Sequence, residues 1–429
     1  MGGVFAVKGG PFLVLGTGRS GTAAAAALRR RGEDVETVGP ATEGAVRAWA
    51  ARRVGGTVVA SPGIPPRDSA ILAARALGLR VRGELSLGCE LLPGGARVVA
   101  VTGSKGKSSL VKFVADALCA SGRRAVPCGN YGLPVCEAAD AVPPLQDAVV
   151  ECSSFQLETS DEALAPDAAI LLNLSGDHLD RHGSMEAYRD AKLTLFAHMA
   201  PDALALLPAP SEDPAGLAAA FRARFPGRAF STFGAGPDAD FRADVPAGSY
   251  FDNDVLRPAA AAGAAALLRL GLGADAIRAA LSAFEPLPHR MQVAARRGGV
   301  AWVDNSKATS LAALAASLRM ARAPILLVAG GRLKEPFSLP AKVLLDSGVE
   351  KVYAFGECGP EMSRVWSQAL PAPCFPGLSE ACAAAAADAA GLRSGTVLLA
   401  PGTASFDQFR SYAERGDLFA DLARRHCAP

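Results

Sequence analysis

Short runs of β-branched and aliphatic residues recur along this chain, and each ends in a Gly-rich or polar turn before an Ala/Leu-rich helical stretch. Phe12-Leu13-Val14-Leu15, Arg97-Val98-Val99-Ala100-Val101, Ala168-Ala169-Ile170-Leu171-Leu172 and Thr396-Val397-Leu398-Leu399-Ala400 are clear examples. A run that is apolar throughout, rather than alternating, belongs to a strand covered on both faces. The pattern therefore predicts an α/β protein built on parallel sheets. A chain of 429 residues exceeds one ordinary core. It divides into blocks at 1–95, 96–288 and 289–429. The Pro/Gly/Asp-rich stretch 208–249 reads as irregular with a few short strands.

Composition narrows the function classes. Half of the residues are hydrophobic and 20% are charged, which is globular chemistry and not disorder. A net charge of +2 points to neither a nucleic-acid polyanion nor an anionic membrane as partner. The longest apolar run, Ala259 to Leu268, is too short to span a bilayer and is followed by Arg269, so no membrane insertion is expected. The nine cysteines include no C-x-x-C pair, and no secretory leader is visible at the start. Reduced thiols in a cytoplasmic protein are the expectation.

Two glycine loops stand at strand–helix junctions. Gly16-Thr17-Gly18-Arg19-Ser20-Gly21 has dinucleotide-site spacing. The next strand, Val35-Glu36-Thr37-Val38, lacks the closing acid that would hold a ribose, which argues against NAD. A packing turn and a site for another phosphate both remain open there. The second loop, Thr102-Gly103-Ser104-Lys105-Gly106-Lys107-Ser108-Ser109, is a shortened phosphate loop, with Val101 where the longer pattern has Gly. Its backbone N–H groups and the following helix dipole suit phosphate oxygens. Lys107 can reach the β/γ-phosphates, and Ser108 or Ser109 can hold Mg²⁺.

Polar residues at other strand ends should meet this loop, because open parallel sheets bind ligands at their C-terminal edges. Glu151 and Asn173 occupy such ends. Glu151 is either a Mg²⁺ ligand or a solvated strand terminus. Asp177-His178-Leu179-Asp180-Arg181-His182 gathers two His and two Asp without zinc spacing, and its oxygen-rich setting favours Mg²⁺. Lys192 shares a helix face with Tyr188 and, locally, reads as a surface lysine. Polar clusters also follow strands in the third block, at Pro288-His289-Arg290, Asp304-Asn305-Ser306-Lys307-Ala308-Thr309 and Ser405-Phe406-Asp407-Gln408-Phe409.

Taken in order, the phosphate loop, Glu151-Cys152-Ser153-Ser154-Phe155-Gln156-Leu157-Glu158, Asp177-His178, Tyr188 to Lys192, His289-Arg290, Ser306-Lys307-Ala308-Thr309 and Ser405 to Gly416 resemble the Mur ligases. The resemblance runs from about residue 12 to residue 425 and is nearest to those members that join D-glutamate to UDP-N-acetylmuramoyl-L-alanine. It implies a UDP-binding Rossmann-like domain, a central ATPase domain resembling the phosphate-loop folds, and a Rossmann-like C-terminal domain. It further implies an ATP-dependent amide ligase acting through an acyl phosphate, in the cytoplasm and as a monomer. Carried over position by position, Gly103, Ser104, Lys105, Gly106, Lys107, Ser108 and Ser109 would hold ATP, with Asn305 and Lys307 also on the nucleotide. Ser108, Glu151, His178 and a carbamylated Lys192 would hold two Mg²⁺ ions. Asn130, Ser153 and Gln156 would touch the uridine substrate, and Thr309, Lys334, Ser405 and Tyr412 the amino acid and phosphate. Lys107, Lys192, His289 and Arg290 would be catalytic. Two departures are visible: Lys105 replaces a usual Asn, and Asp304-Asn305 reverses the usual Asn-Asp order. A sister ligase with another amino acid, or a nucleotide-binding regulator, would be the alternatives. The Ser405 and Lys334 neighbourhood favours D-glutamate over the first, and the joint presence of Lys107, Glu151, His178 and Lys192 argues against the second.

Overall fold

The computed structural model describes residues 9–334 and 336–428. They form three sheets. The first holds β1 (Phe12–Leu15), β2 (Val35–Val38), β3 (Thr57–Ala60) and β4 (Arg80–Gly83) in the order β2-β1-β3-β4. The second holds β5 (Arg97–Thr102), β6 (Ala125–Gly129), β7 (Asp147–Glu151), β8 (Ala168–Leu171), β9 (Leu204–Pro208) and β10 (Ser231–Phe233) in the order β10-β9-β8-β5-β7-β6. The third holds β11 (Gln292–Arg297), β12 (Gly299–Asp304), β13 (Ile325–Gly330), β14 (Val349–Phe355), β15 (Cys374–Phe375) and β16 (Ser394–Leu399) in the order β11-β12-β16-β13-β14-β15. Every pairing is parallel except β11 with β12. The α/β architecture agrees with the continuous apolar runs, since β1, β3, β7, β8 and β13 are buried at every position.

The chain packs as two compact units, one of the first two sheets and one of the third. The break falls at Phe284/Glu285, with Asn253–Val255 counted in the second unit. Within the first unit the two sheets are tied by buried and half-buried polar contacts. Glu84 accepts from the Cys136 amide at 2.7 Å. The fully buried Arg82 meets Asp161 at 3.0 Å and also pairs with Glu90. Arg31 holds Asp140 at 2.8 Å.

Several local expectations shift. The helix after the phosphate loop runs from Lys107 to Ala120. The helix carrying Lys192 ends at Leu193 and passes into a 3₁₀ turn, Thr194–Phe196. The stretch 208–249 contains a full helix, Leu217–Arg224, anchored by Leu217 and Phe221. Asp213 supplies its N-terminal hydrogen bonds, to the amides of Leu217 and Ala218. The apolar run near 259–268 is a core helix, Arg257–Arg269, packed on Lys107–Ala120. Gly263 permits the approach, because a Cβ there would lie 2.8 Å from Leu110 and Phe113. Among the described residues, no helix is long and apolar enough to cross a membrane.

Candidate active site

Register brings the expected residues of the first unit to one sheet edge. On β5, Val101 is level with Glu151 of β7, and Thr102 with Leu171 of β8. The phosphate loop therefore leaves the sheet between Glu151 and Asn173. Asn173 ties it down: its backbone oxygen accepts from the Ser104 amide at 3.0 Å, and its side chain bonds both the amide and the carbonyl of Lys105. Gly103 (φ +148°) and Gly106 (φ +85°) take backbone conformations that L side chains rarely adopt. Ser108 is half-buried, Ser109 is buried and Lys105 is exposed. The first turn of the Lys107–Ala120 helix points N–H groups that no helix can satisfy internally toward this opening.

Two lysines converge on one atom. Lys107 Nζ and Lys192 Nζ each donate to the Gly103 carbonyl oxygen at 2.8 Å. Lys192 is 1% exposed, so it is no surface lysine. Its ammonium is pushed down to about 7, first by burial and then by Lys107. Two lysine nitrogens on one neutral acceptor repel each other when both are charged, so the site favours an anion between them. Tyr188 closes one wall: its ring lies under Lys192 Nζ at 4.4 Å, and its hydroxyl meets Ser104 Oγ at 3.2 Å.

Glu151 is 2% exposed. Its Oε1 accepts from Asn130 Nδ2 at 2.7 Å, while its Oε2 is buried without a hydrogen-bond partner. A buried carboxylate oxygen with no donor calls for a cation. The two histidines of the 177–182 cluster divide. His182 is tied inward to Ser154 Oγ at 3.0 Å and near Glu158, and burial lowers its pKa. His178 stays about half exposed, in a left-handed backbone conformation with its ring against Phe155. Among the described residues, no three His, Cys, Asp or Glu side chains group as a ready metal site. Ser108, Glu151 and His178 nevertheless suit Mg²⁺, which takes few protein ligands and fills its octahedron with water and phosphate oxygen. Ser153 and Gln156 bond each other in a capping box that starts the short helix after β7. Gly16 (φ +98°) and Gly21 pack tightly, for a Cβ on Gly21 would lie 2.0 Å from the Gly16 carbonyl, whereas Gly18 opens to space. The first loop is thus both a packing turn and an accessible backbone rim.

In the second unit, the Asn305, Lys307, Thr309, His289, Arg290, Ser405 and Tyr412 positions fall around the C-terminal ends of β12 and β16. Lys307 Nζ sits 4.0 Å over the Tyr412 ring, and its pKa is lowered by burial and by Arg290 and Lys334. The Thr309 amide donates to the Lys307 carbonyl at 2.8 Å. Ser405 is buried, Arg290 half-buried and Lys334 exposed. The Asn305 amide turns to Ser317 Oγ at 2.6 Å. Its neighbour Asp304 instead meets His289 Nδ1 at 2.6 Å.

The comparisons agree with this geometry. Residues 101–255 match the family described as Mur ligase middle domain. The chain is 37% identical to the UDP-N-acetylmuramoylalanine–D-glutamate ligase of Frankia casuarinae, across 96% of this chain and 94% of that one. The ligase of the same name from Thermus thermophilus is 35% identical, across 95% and 96%. The chain belongs to the Mur ligase family. Solved Mur ligases share the fold at lower identity. MurC from Thermotoga maritima superposes with a TM-score of 0.56 at 17% identity, over 96% of this chain and 99% of that one. MurF from Acinetobacter baumannii gives 0.57 at 17%, over 86% and 85%.

Two residues of this Mur ligase show their contacts only in three dimensions. Arg415 is fully buried and donates to Ser306 Oγ and to the carbonyls of Ser306, Gly330, Thr403 and Ala404. Burial lowers its pKa to about 10. It ties three strand-end loops together, one of them leading to Ser405. Asp304 is the other; its sequence signal was the inverted Asp-Asn pair.

Proposed function

We propose that this chain joins D-glutamate to UDP-N-acetylmuramoyl-L-alanine with cleavage of ATP, in cytoplasmic peptidoglycan-precursor synthesis. The observation that carries the reading is the phosphate loop with Lys107 and Lys192 on one carbonyl, beside the unpartnered Glu151 oxygen. Residues 1–95 would bind the uridine substrate, 96–288 ATP and 289–429 the amino acid, with the chain acting as a monomer.

A carboxylate is a poor electrophile, so amide formation needs a leaving group. The substrate carboxylate oxygen attacks the γ-phosphorus, the bond to the ADP oxygen breaks, and an acyl phosphate results. The D-glutamate amine then adds to the acyl carbon. Loss of a proton and expulsion of phosphate leave the amide. Positioning and charge neutralisation account for most of such catalysis. The 103–109 loop holds the phosphates, Lys107 faces their negative charge, and Asn130, Ser153 and Gln156 line the approach of the uridine substrate. Ser108, Glu151 and His178 would hold Mg²⁺, which when bound neutralises phosphate charge; a carbamate on Lys192 would hold a second ion. His289 and Arg290 would serve the transferring phosphoryl group, as the family resemblance implies. Lys307, Thr309, Lys334, Ser405 and Tyr412 supply the cations and hydroxyls that an acidic amino acid requires.

Phosphate release tests the reading. It should require ATP, Mg²⁺, UDP-N-acetylmuramoyl-L-alanine and D-glutamate together. Full turnover with L-lysine in place of D-glutamate would refute it.

A further inference from the structure

We infer that Asp304 is the positioning residue for His289, holding the imidazole by its Nδ1 so that a protonated Nε2 is presented for the phosphoryl chemistry. The inference rests on the ligase reading for the role of His289, but the dyad itself is a matter of geometry.

Three elements lock the ring. Asp304 ends β12, is 1% exposed, and places Oδ2 2.6 Å from His289 Nδ1. Its other oxygen accepts from the Ser306 amide at 2.8 Å, so the carboxylate cannot swing away. The Tyr412–Cys427 helix packs against this same contact: a Cβ on Gly416 would lie 2.1 Å from His289 Nδ1 and 2.8 Å from Asp304 Oδ2. The backbone closes the cage, since the His289 amide donates to Gln292 Oε1 at 3.2 Å and its carbonyl accepts from the Lys307 amide at 3.1 Å. With Nδ1 committed to Asp304, only Nε2 is left to act.

The charged groups around the ring set its protonation. Asp304 is in hydrogen-bond contact, and Asp417, which is three-quarters exposed, lies 3.7 Å from Nε2. Arg290 adjoins in sequence, and Lys307 sits beyond on the Tyr412 ring. The hydrogen bond to Asp304 outweighs burial and raises the His289 pKa. Position 305, which carries the acid in the order usual for the family, holds a neutral Asn here, and its side chain is turned to Ser317.

The test compares the full-length wild type with Asp304→Asn, which keeps shape and removes charge. Histidine-selective NMR titration, with His289 assigned by His289→Gln, should place the wild-type His289 pKa above the ordinary 6.5 and the variant's lower. In parallel, the basic limb of kcat against pH should move to lower pH by about one unit, a roughly tenfold loss above both midpoints, with the KM for ATP little changed. The swap D304N/N305D should behave like Asp304→Asn. A wild-type His289 titrating at or below the ordinary value overturns the inference, even if the variants fold poorly. So does a uniform loss at all pH values with an unmoved limb, or recovery of the limb in the swap. A wild type with the expected titration but no amide product would instead sink the ligase reading and leave the dyad standing.

Discussion

Replacing Lys192 separates the chemistry of this site from its stability. The structure places an amine 1% exposed, 2.8 Å from the Gly103 carbonyl and under the field of Lys107. With its pKa at about 7 rather than the ordinary 10.5, about three quarters of Lys192 is neutral at pH 7.5, against roughly 0.1% of an ordinary lysine. Only the neutral amine can add to carbon dioxide, so the reactive fraction is higher by nearly three orders of magnitude. Bicarbonate labelled with ¹³C should therefore give a carbamate NMR signal in the wild type that is absent from Lys192→Ala. Lys192→Ala should lose activity and regain part of it with added short carboxylates. Linkage gives a second readout. A lysine with a depressed folded-state pKa binds fewer protons folded than unfolded between about 7 and 10.5, so uncarbamylated protein should gain stability as pH rises through that window. Lys192→Met should flatten this dependence. A carbamate signal that survives Lys192→Ala, or no signal together with no rescue, would refute the reasoning.

Other perturbations follow from the same geometry. Lys107→Met should lower kcat/KM for ATP at least about a hundredfold with little change in Tm, read by steady-state kinetics and calorimetry. Glu151→Gln should weaken the thermal stabilisation given by Mg²⁺ with nucleotide, because the variant replaces the buried unpartnered Oε2 with an amide nitrogen; equal Tm gains in variant and wild type would contradict this. Arg415→Ala strands five acceptors in the second unit and should cost about 3–5 kcal/mol in urea unfolding. Gly416→Ala should abolish activity by displacing the His289 ring, while far-UV circular dichroism stays unchanged.

The parts of this molecule that were legible in the sequence are those fixed by neighbouring residues. The phosphate loop could be read because its glycines stand between an apolar strand and a helix, and both conformations are local. The parallel sheets could be read because strands covered on both faces leave continuous apolar runs. β6 was missed because Pro127 interrupts it, and Pro is tolerated there only because β6 is an edge strand. The Leu217–Arg224 helix was hidden by the Pro, Gly and Asp residues on either side, although Asp213 serves that helix. Lys192 looked like a surface lysine because its burial comes from Gly103, 89 residues away in the chain. Nothing local to Arg415 shows its burial, because its acceptors come from three distant loops. Asp304 and His289 are 15 residues apart, and only the β11–β12 hairpin brings them together.

The central claim is the identity of the product. Incubation of the protein with ATP, Mg²⁺ and UDP-N-acetylmuramoyl-L-alanine beside an equimolar mixture of D-glutamate, L-glutamate, L-lysine and D-alanine, each with a distinct isotope label, would test it by mass spectrometry. The account predicts one new species, the uridine substrate joined by an amide to D-glutamate alone. A product carrying another of the four, or ATP cleaved with no amide formed, would contradict it.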